Sequence, residues 1–295
     1  MSFSLYISYY NITYIEVYIM GILSIQSHVV YGYVGNKAAT YPLQAMGYDV
    51  WPINTVQFSS HTGYDNWKGE VFSREHIRDV IKGIEALGMV SKCQAILSGY
   101  MGSHDTCLEV LDIVTRFKKD NKDILYLCDP VIGNDHCYVK PEVLEFFKTN
   151  LKADIITPNQ FEAEILSGIK IIDIKSLKKV ADYFHNLGVL VVAITGIKNI
   201  GSFNLSVFVS DGFSKDLIEV QTYDSKIQVN GTGDLFSAVF LGTYISTKNA
   251  LESAKNATYY LDQVMRKTFE IKARELQVIS ANYDIATKNM NSILI

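Results

Sequence analysis

The run Val-Asn-Gly-Thr-Gly-Asp-Leu-Phe-Ser-Ala-Val-Phe-Leu at residues 229–241 predicts a buried helix that begins among glycines. The first residues of a helix carry backbone N–H groups without intrahelical partners, and the helix dipole adds positive potential there. Glycines allow an anion to approach this backbone closely. We therefore expect an anion-binding site at Gly231, Thr232 and Gly233.

Asp234 follows these residues in the first turn, where a bound phosphate would repel its carboxylate. One explanation is that Asp234 accepts a proton from a hydroxyl while the N–H groups stabilise charge on a transferred phosphoryl group. The alternative is an aspartate that only favours the helix N-terminus through capping and the dipole. The short motif leaves both roles open, and the rest of the chain favours the chemical one.

The composition is that of a globular protein, with 295 residues, 48% hydrophobic and 20% charged, and a formal net charge of −4. This length fits one large α/β domain or two smaller ones. The lack of excess positive charge argues against a nucleic-acid partner. The four cysteines have no metal-binding spacing, so we expect free thiols in a reducing compartment, the cytoplasm.

The first 19 residues differ from the rest because tyrosine and isoleucine are crowded there. No basic segment or small-residue cleavage site marks a signal peptide. Asn11 and Glu16 interrupt the apolar run, which argues against a membrane span, and we expect no membrane partner. We interpret residues 1–19 as an N-terminal appendage; a true start at Met20 and an additional strand are the alternatives.

From residue 20 onward, short β-rich runs alternate with amphipathic helical segments. Strands are expected at 21–25, 49–56, 95–98, 124–128, 154–157 and 189–195, and helices at 35–46, 75–87, 108–119, 141–151, 160–166, 176–186 and 249–265. Runs at 205–209 and 218–222 bracket Asp211-Gly212 and predict an edge hairpin, and 275–284 is expected to close the domain. The alternation predicts a single α/β domain over 20–295, with a mainly parallel central sheet and helices on both faces.

Polar residues follow the predicted strands, and at the carboxyl ends of parallel strands such residues meet in one crevice. Asp129 lies at one strand end before a proline, and Glu162 lies one helical turn beyond another. Paired carboxylates suit Mg²⁺, which prefers oxygen ligands. The alternatives are a turn residue for Asp129 and a first-turn dipole partner for Glu162. We favour the metal role for these two and a structural role for Glu164.

No GxxxxGK[ST] run and no GxGxxG run occur, which argues against a P-loop NTPase and a nicotinamide Rossmann enzyme. Several blocks instead resemble the pyridoxal kinases of the ribokinase-like superfamily, in family order. They are SIQSHVVYGYVGN at 24–36, NTVQFSSHTGY at 54–64, SGY at 98–100, CDPV at 128–131, TPNQFEAE at 157–164 and GTGD at 231–234. The resemblance spans nearly everything from residue 20 onward and implies a ribokinase-like three-layer sandwich.

The resemblance also implies an activity, which is the ATP-dependent phosphorylation of the 5′-hydroxymethyl group of pyridoxal, pyridoxine or pyridoxamine in vitamin B6 salvage. It implies Mg²⁺ or a similar divalent cation, with K⁺, and a homodimer. Small molecules, namely the vitamers and ATP, are then the expected binding partners.

The same resemblance assigns roles to individual residues. It makes Asp234 the base and Gly231, Thr232 and Gly233 the anion hole, which agrees with the reading from the residues themselves. It places Ser27, Thr62 and Tyr100 against the pyridine ring and its substituents, with Val34 nearby. It places Asp129, Asn159 and Glu162 around the ATP phosphates and metal, and Thr195 against phosphate. Ser27 and Tyr100 are also suitable chemically, because an aromatic hydroxylated ring needs a ring partner and a few placed hydrogen bonds.

Two alternatives stay open. The first is another ribokinase-like kinase acting on hydroxymethylpyrimidine or a sugar, against which the Gln-Ser-His-Val block after the first strand argues. The second is a non-catalytic vitamer-binding protein. Asp129, Glu162 and Asp234 argue against it, because a pure binder gains nothing from carboxylates beside a phosphate site.

Overall fold

The structure, a computed structural model, describes residues 20–223, 228–281 and 292–294, so the expected appendage at 1–19 lies outside the described residues. The strands are β1 (Gly21–Val29), β2 (Asp49–Phe58), β3 (Gly69–Val71), β4 (Cys93–Ser98), β5 (Leu125–Cys128), β6 (Ile155–Ile156), β7 (Val191–Ile200), β8 (Phe203–Ser210), β9 (Lys215–Glu219) and β10 (Ser292–Leu294). The helices are α1 (Asn36–Ala45), α2 (Arg74–Ala86), α3 (His104–Asp120), α4 (Pro141–Asn150), α5 (Gln160–Ser167), α6 (Ile174–Asn186), α7 (Thr232–Thr247) and α8 (Ala250–Glu270).

All ten strands of the described residues belong to one sheet with the order β10-β9-β8-β7-β6-β5-β4-β1-β2-β3. The six strands from β7 to β2 in this order pair in parallel. Antiparallel strands extend the sheet at both edges, with β3 on one side and β8, β9 and β10 on the other. The expected α/β class with a mainly parallel sheet is confirmed.

Helices cover both faces of the sheet, because neighbouring residues on each central strand point to opposite sides. In β1, Ile22 packs in the apolar layer beneath α1, α7 and α8, whereas Leu23 packs in the layer beneath α2 to α6. Strands that are buried on both faces read as continuous apolar runs. This is why the strands were visible in the sequence and why the molecule has three layers.

The central strands and the helices lie where the sequence predicts them, and the differences are at the sheet edges. The strand predicted at 189–195 continues to Ile200, because a register shift between Ile194 and Ile197 lets β7 keep pairing with β8. The second hairpin strand begins at Lys215 rather than 218, because the Asp211 carboxylate accepts N–H bonds that close a tight turn. Strands β3 and β10 were not predicted, since each has only three residues.

The C-terminal segment expected to close the domain is only partly described. Residues 275–281 form turns and bends rather than a helix or strand. Leu276 and Val278 are buried in the layer beneath α7 and α8, and the hydroxyl of Tyr260 donates to the Val278 carbonyl at 3.1 Å. Residues 282–284 lie outside the described range. Across the described part of the chain, no helix combines the length and apolar character needed to cross a membrane.

Candidate active site

Helix α7 begins at the glycines, as the sequence predicts. Gly231 is the N-cap residue with φ 89°, a left-handed conformation that glycine adopts without steric cost. The first intrahelical hydrogen bond is donated by the Leu235 N–H to the Gly231 carbonyl at 3.0 Å. The N–H groups of Thr232, Gly233 and Asp234 therefore precede the helical ladder and are available to an anion.

The loop between β1 and α1 packs directly against this helix start. A Cβ atom on Gly231 would lie 1.9 Å from the Tyr33 carbonyl oxygen, so only glycine permits the approach. A Cβ atom on Gly35 would lie 2.4 Å from the Ser27 hydroxyl oxygen. Ser27 at the end of β1 and Gly231 at the start of α7 therefore border one region, here called the crevice, where two glycines allow the backbones to pack closely.

Asp234 lies in this crevice and is half-buried. Burial raises the pKa of its carboxyl group, and a hydrogen bond from the Gly35 backbone N–H partly opposes that shift. A carboxylate with a raised pKa is a stronger proton acceptor, which suits a general base. The contact with Gly35 also brings Asp234 close to Ser27.

The residues expected to contact a vitamer surround the same end of β1. Val34 and Tyr100 both pack against a small apolar cluster of Val29, Val56 and Phe58. Ser27 is buried, and burial raises the pKa of the Tyr100 hydroxyl. Thr62, by contrast, is exposed on the loop after β2. The fold thus brings Ser27, Val34 and Tyr100 together and leaves Thr62 at the rim.

Asp129 lies on the other side of the helix start. Its side chain is 4% exposed, and its Oδ2 atom accepts a hydrogen bond from the Ser237 hydroxyl at 3.2 Å. The Ser237 hydroxyl is in turn 2.7 Å from that of Thr157. A Cβ atom on Gly233 would lie 3.5 Å from Asp129 Oδ2, so this carboxylate borders the expected anion hole.

Glu162 is buried and organises two backbone segments. Its Oε2 atom accepts from the Asn159 N–H at 2.9 Å, which completes a capping box at the start of α5. Its Oε1 atom accepts from the N–H groups of Ile132 at 2.8 Å and Gly133 at 3.3 Å. The carboxylate therefore ties the segment after β5 to α5, a structural role that sequence analysis did not identify.

The carboxylates of this crevice influence one another. Burial raises the pKa of Asp129 well above its usual range, and the charges of Glu162 and Asp234 raise it further. Burial also raises the pKa of Glu162, against hydrogen bonds from three backbone N–H groups. Within the described side chains, no three His, Cys, Asp or Glu residues form a ready-made metal cluster. Mg²⁺ needs none, because it keeps several waters and uses one or two carboxylates together with phosphate oxygens.

Asn159 and Thr195 lie side by side at the same edge of the sheet. Their backbones form a parallel bridge, and the Thr195 N–H donates to the Pro158 carbonyl at 2.9 Å. The Asn159 side chain caps α5 by accepting from the Glu162 N–H at 2.9 Å and donates to the Gly133 carbonyl at 2.7 Å. Direct contact of Asn159 and Thr195 with ATP stays a prediction.

Two residues of the crevice were missed in the sequence. Ser237 follows Asp234 by three positions on a helix, so its spacing indicated that it lies on the same face. Tyr138 is exposed, yet burial around its hydroxyl raises the pKa, and the charges of Glu162, Asp129 and Asp234 raise it further. Its hydroxyl is therefore within electrostatic range of the carboxylates, and no local pattern in the sequence indicates this.

The geometry can be compared with known proteins. The sequence model of the phosphomethylpyrimidine kinase family matches residues 73–278. A pyridoxal kinase of Aliivibrio fischeri is 38% identical over 269 residues, covering 88% of this chain and 93% of that protein. One of Corynebacterium diphtheriae is 37% identical, covering 90% and 96%. A Leishmania donovani pyridoxal kinase structure with ADP and pyridoxamine superposes with a TM-score of 0.84 at 32% identity, covering 93% of this chain and 98% of that one.

Proposed function

This chain belongs to the phosphomethylpyrimidine kinase family and, within it, to the pyridoxal kinases, and on that premise we propose that it phosphorylates pyridoxal, pyridoxine and pyridoxamine with ATP. The acceptor is the 5′-hydroxymethyl oxygen, so pyridoxal becomes pyridoxal 5′-phosphate in vitamin B6 salvage. The observation that carries the proposal is the position of Asp234. It lies with the available N–H groups of α7 between the Ser27–Gly35 contact on one side and Asp129 on the other.

We assign the role of general base to Asp234. The carboxylate accepts the hydroxymethyl proton while the hydroxyl oxygen forms a bond to the γ-phosphorus, and the bond from that phosphorus to ADP breaks. Burial supports this role because it raises the pKa of the carboxyl group. The Gly35 N–H holds the carboxylate in place without protonating it.

The backbone at the start of α7 supplies the anion hole. The N–H groups of Thr232, Gly233 and Asp234 lie in the first turn of α7, before its first intrahelical hydrogen bond, where the dipole is positive. They stabilise the negative charge that spreads over the phosphoryl oxygens in the transition state. Most of the rate enhancement then comes from positioning two substrates and from this fixed electrostatic environment.

We propose that Ser27, Val34, Thr62 and Tyr100 form the vitamer pocket. Val34 and Tyr100 supply an apolar wall on the cluster they share. The Ser27 hydroxyl lies next to Gly35, and we expect it to bond a polar substituent of the ring. Thr62 is exposed at the rim, where we expect its hydroxyl to meet a polar substituent at the edge of the ring. On the other side, Asn159 and Thr195 border the phosphates of ATP.

We further propose that Asp129 holds Mg²⁺ or a similar divalent cation, with Glu162 close by, and that K⁺ assists. The donor set fits a hard cation, because Asp129 is a buried carboxylate that borders the anion hole. The negative charges of Glu162 and Asp234 act on Asp129 as well. When bound, the cation neutralises charge on the phosphate oxygens. Both oxygens of Glu162 already accept backbone N–H groups, so we expect it to act mainly by orienting the segment after β5.

Replacing Asp129 by asparagine should raise the stability of the metal-free protein and lower its activity. With the cation chelated by EDTA, the variant should be more stable than the unaltered chain, because the cost of burying the Asp129 charge and its repulsion from Glu162 and Asp234 are removed. Activity should fall, and the Mg²⁺ concentration for half-maximal rate should rise by about tenfold or more. Thermal unfolding in EDTA and a Mg²⁺ titration of the rate measure the two effects.

The matched control is Asp216→Asn. Asp216 on β9 is also buried and its pKa is also raised by burial, but it is not among the residues that we assign to the site. This variant should leave the Mg²⁺ dependence of the rate unchanged. An Asp129→Asn enzyme with the same Mg²⁺ dependence as the control would remove Asp129 from the metal site.

Three further parts of the proposal concern the whole chain. We propose that residues 20–295 fold as one domain, that the enzyme is a homodimer, and that it works in the cytoplasm. The single continuous sheet supports the first, and the resemblance to pyridoxal kinases supports the second. The four free cysteines, three of them buried, support a reducing compartment.

Hydroxymethylpyrimidine is the second candidate substrate, because the matching family model is described as phosphomethylpyrimidine kinase and so names a substrate with the same kind of ring. That match begins at residue 73, beyond Ser27, Val34 and Thr62, whereas the pyridoxal kinase relatives align with 88 to 90% of the chain and so include residues before 73. The region that would select the vitamer ring is therefore shared more with pyridoxal kinases. We rank pyridoxal first for this reason.

The test is ADP release with Mg-ATP and K⁺, comparing pyridoxal, pyridoxine, pyridoxamine, hydroxymethylpyrimidine and ribose. We expect turnover on the three vitamers, with the phosphorylated product identified by mass. Turnover on the pyrimidine or on ribose alone would keep the mechanism and change the substrate. Vitamer binding with no turnover on any compound would indicate a binding protein instead.

A further inference from the structure

A buried carboxylate from the C-terminal segment joins the loops of the crevice. Glu275 is only 7% exposed, although it lies five residues beyond α8. Its Oε1 atom accepts a hydrogen bond from the Tyr64 hydroxyl at 2.6 Å, and its Oε2 atom accepts from the Tyr33 backbone N–H at 3.2 Å. Tyr33 belongs to the loop after β1 and Tyr64 to the loop after β2. One side chain therefore connects two of the loops that carry expected vitamer contacts, those of Val34 and Thr62, which we call the vitamer-side loops.

His61 adds a third partner to the same carboxylate. Its Nδ1 atom accepts a hydrogen bond from the Gly63 N–H at 3.1 Å, so the ring proton resides on Nε2. The protonated Nε2 atom is 3.3 Å from Glu275 Oε1, which can accept its proton. The side-chain nitrogen of Asn230, the residue before Gly231, lies 3.4 Å from the same Nε2 atom, as a packing contact between two donors. The histidine is thus bonded to Glu275 and packs beside the start of the anion hole.

The network also reaches the anion hole through Tyr33. While the N–H of Tyr33 donates to Glu275, its carbonyl oxygen lies against Gly231, where a Cβ atom would be 1.9 Å away. A Cβ atom on Gly32 would lie 2.2 Å from Glu275 Oε2, so the carboxylate fits closely under this loop. The side chain of Leu276, the next residue, also borders Gly231.

The loop after β2 is held from a second direction by Arg274. Its guanidinium lies 3.8 Å from the centre of the Tyr64 ring, and its Nη2 atom donates to the Gly63 carbonyl at 2.6 Å. Thr62 lies between His61 and Gly63, both of which these contacts restrain. The segment 274–276 therefore sets where Thr62 stands relative to α7.

We propose that Glu275 is a positioning residue that holds the vitamer-side loops at one fixed distance from the anion hole of α7, an inference that rests on the proposed function. Tyr64 and His61 transmit this constraint to Thr62, and Tyr33 transmits it to Gly231. The acceptor hydroxyl and the γ-phosphate are thereby aligned before reaction. Alignment matters because a misplacement of about 1 Å can reduce turnover by about 100-fold.

A packing role alone would not need a carboxylate. Burying an ionised group is unfavourable unless several donors compensate it, and an apolar side chain of similar size would fill the space at lower cost. Here the hydroxyl of Tyr64, the N–H of Tyr33 and the ring of His61 converge on two oxygens. A carboxylate is the group that can accept from all of them at once.

Two variants test the inference. Glu275→Gln keeps the size of the side chain. Its NH₂ group, however, must then face a hydrogen-bond donor that bonded to a carboxylate oxygen in the unaltered chain. Tyr64→Phe removes a single hydroxyl and leaves the ring under Arg274, so it keeps the test valid if the first variant fails to fold. Each should lower kcat for pyridoxal by about 10- to 100-fold. Affinity for ADP, measured by calorimetry, should stay unchanged.

The control is Glu109→Gln on α3. Glu109 is fully buried and bonds Arg74 at 2.8 Å and Arg78 at 2.8 Å, between α2 and α3. Its replacement should lower the melting temperature and leave kcat for pyridoxal unchanged. The double variant Glu275→Gln with Tyr64→Phe should be no slower than the slower single variant, because both remove one coupled interaction.

The outcomes separate this inference from the function on which it rests. The positioning role is supported if Glu275→Gln and Tyr64→Phe each lower kcat, leave the affinity for ADP intact and have non-additive effects in the double variant. Normal turnover by the unaltered chain, with variants that lose only thermal stability as Glu109→Gln does, overturns the positioning role and leaves the function standing. Absence of vitamer turnover by the unaltered chain overturns both.

Discussion

Replacing Asp234 by asparagine should lower kcat for pyridoxal by about 10²- to 10⁴-fold, the range that a general base contributes. The amide oxygen can still accept the hydrogen bond from the Gly35 N–H, so we expect the variant to fold. Loss of a half-buried negative charge beside Asp129 should not weaken nucleotide binding. ADP release with Mg-ATP measures the rate, and calorimetry measures the affinity for ADP and pyridoxal.

The alternative role of Asp234, as a dipole partner of the helix start, has its own control. Glu252 occupies the equivalent first-turn position of α8, where its N–H is capped by Asn249 at 3.0 Å. Glu252→Gln should cost about 0.3–1 kcal/mol of stability, the usual dipole contribution, without changing kcat. If Asp234→Asn behaves in the same way, Asp234 is a capping residue and the catalytic assignment is wrong.

Replacing Gly231 by alanine should reduce kcat by about 10²- to 10³-fold, as expected when an oxyanion-type donor is displaced. The new Cβ atom would lie 1.9 Å from the Tyr33 carbonyl oxygen, so the loop after β1 or the start of α7 must move. Either movement shifts the N–H groups of Thr232 and Gly233 away from the phosphoryl group. Steady-state kinetics and ADP binding measure the loss.

Two other glycines separate the two possible causes of a lower kcat, which are backbone strain and displacement of the anion hole. Gly212, on the hairpin between β8 and β9, has a φ of 88° close to that of Gly231, but a Cβ atom there would meet nothing within 4 Å. Gly212→Ala should therefore cost about 1–3 kcal/mol of stability from backbone strain alone and leave kcat unchanged. Gly233→Ala would bring an ordinary 3.5 Å contact with Asp129 and a smaller loss of activity. If Gly231→Ala retained full turnover, the anion hole would have to lie elsewhere.

The architecture was predictable because its signals are local. Apolar runs of four to eight residues between amphipathic segments indicate strands that helices cover on both faces, and the observed sheet has six such parallel strands. The edges were less predictable. The three residues of β3 are exposed, so no apolar pattern marks them. The bulge that lets β7 run on to Ile200 depends on its pairing with β8, which lies outside any local window.

The candidate site likewise has one part that local sequence predicts and another that only long-range packing determines. Gly231 and Asp234 lie within one turn of each other, so their neighbourhood is dictated by the start of a single helix. The placement of Asp129 beside Gly233 was inferred only in outline, from the rule that strand ends meet in parallel sheets. The use of both Glu162 oxygens by backbone groups was not foreseen, because two of the three donors lie 29 and 30 residues away.

The sequence by itself determined the α/β class, the order of the elements and the pairing of an anion-binding helix start with a carboxylate, because each depends on residues within one or two turns. The tertiary structure decided which loops meet that helix. Glu275 bonds Tyr64 and Tyr33 across separations of 211 and 242 residues. Contacts of that range depend on how layers pack and which backbones approach closely, and no periodicity or motif in the chain encodes them.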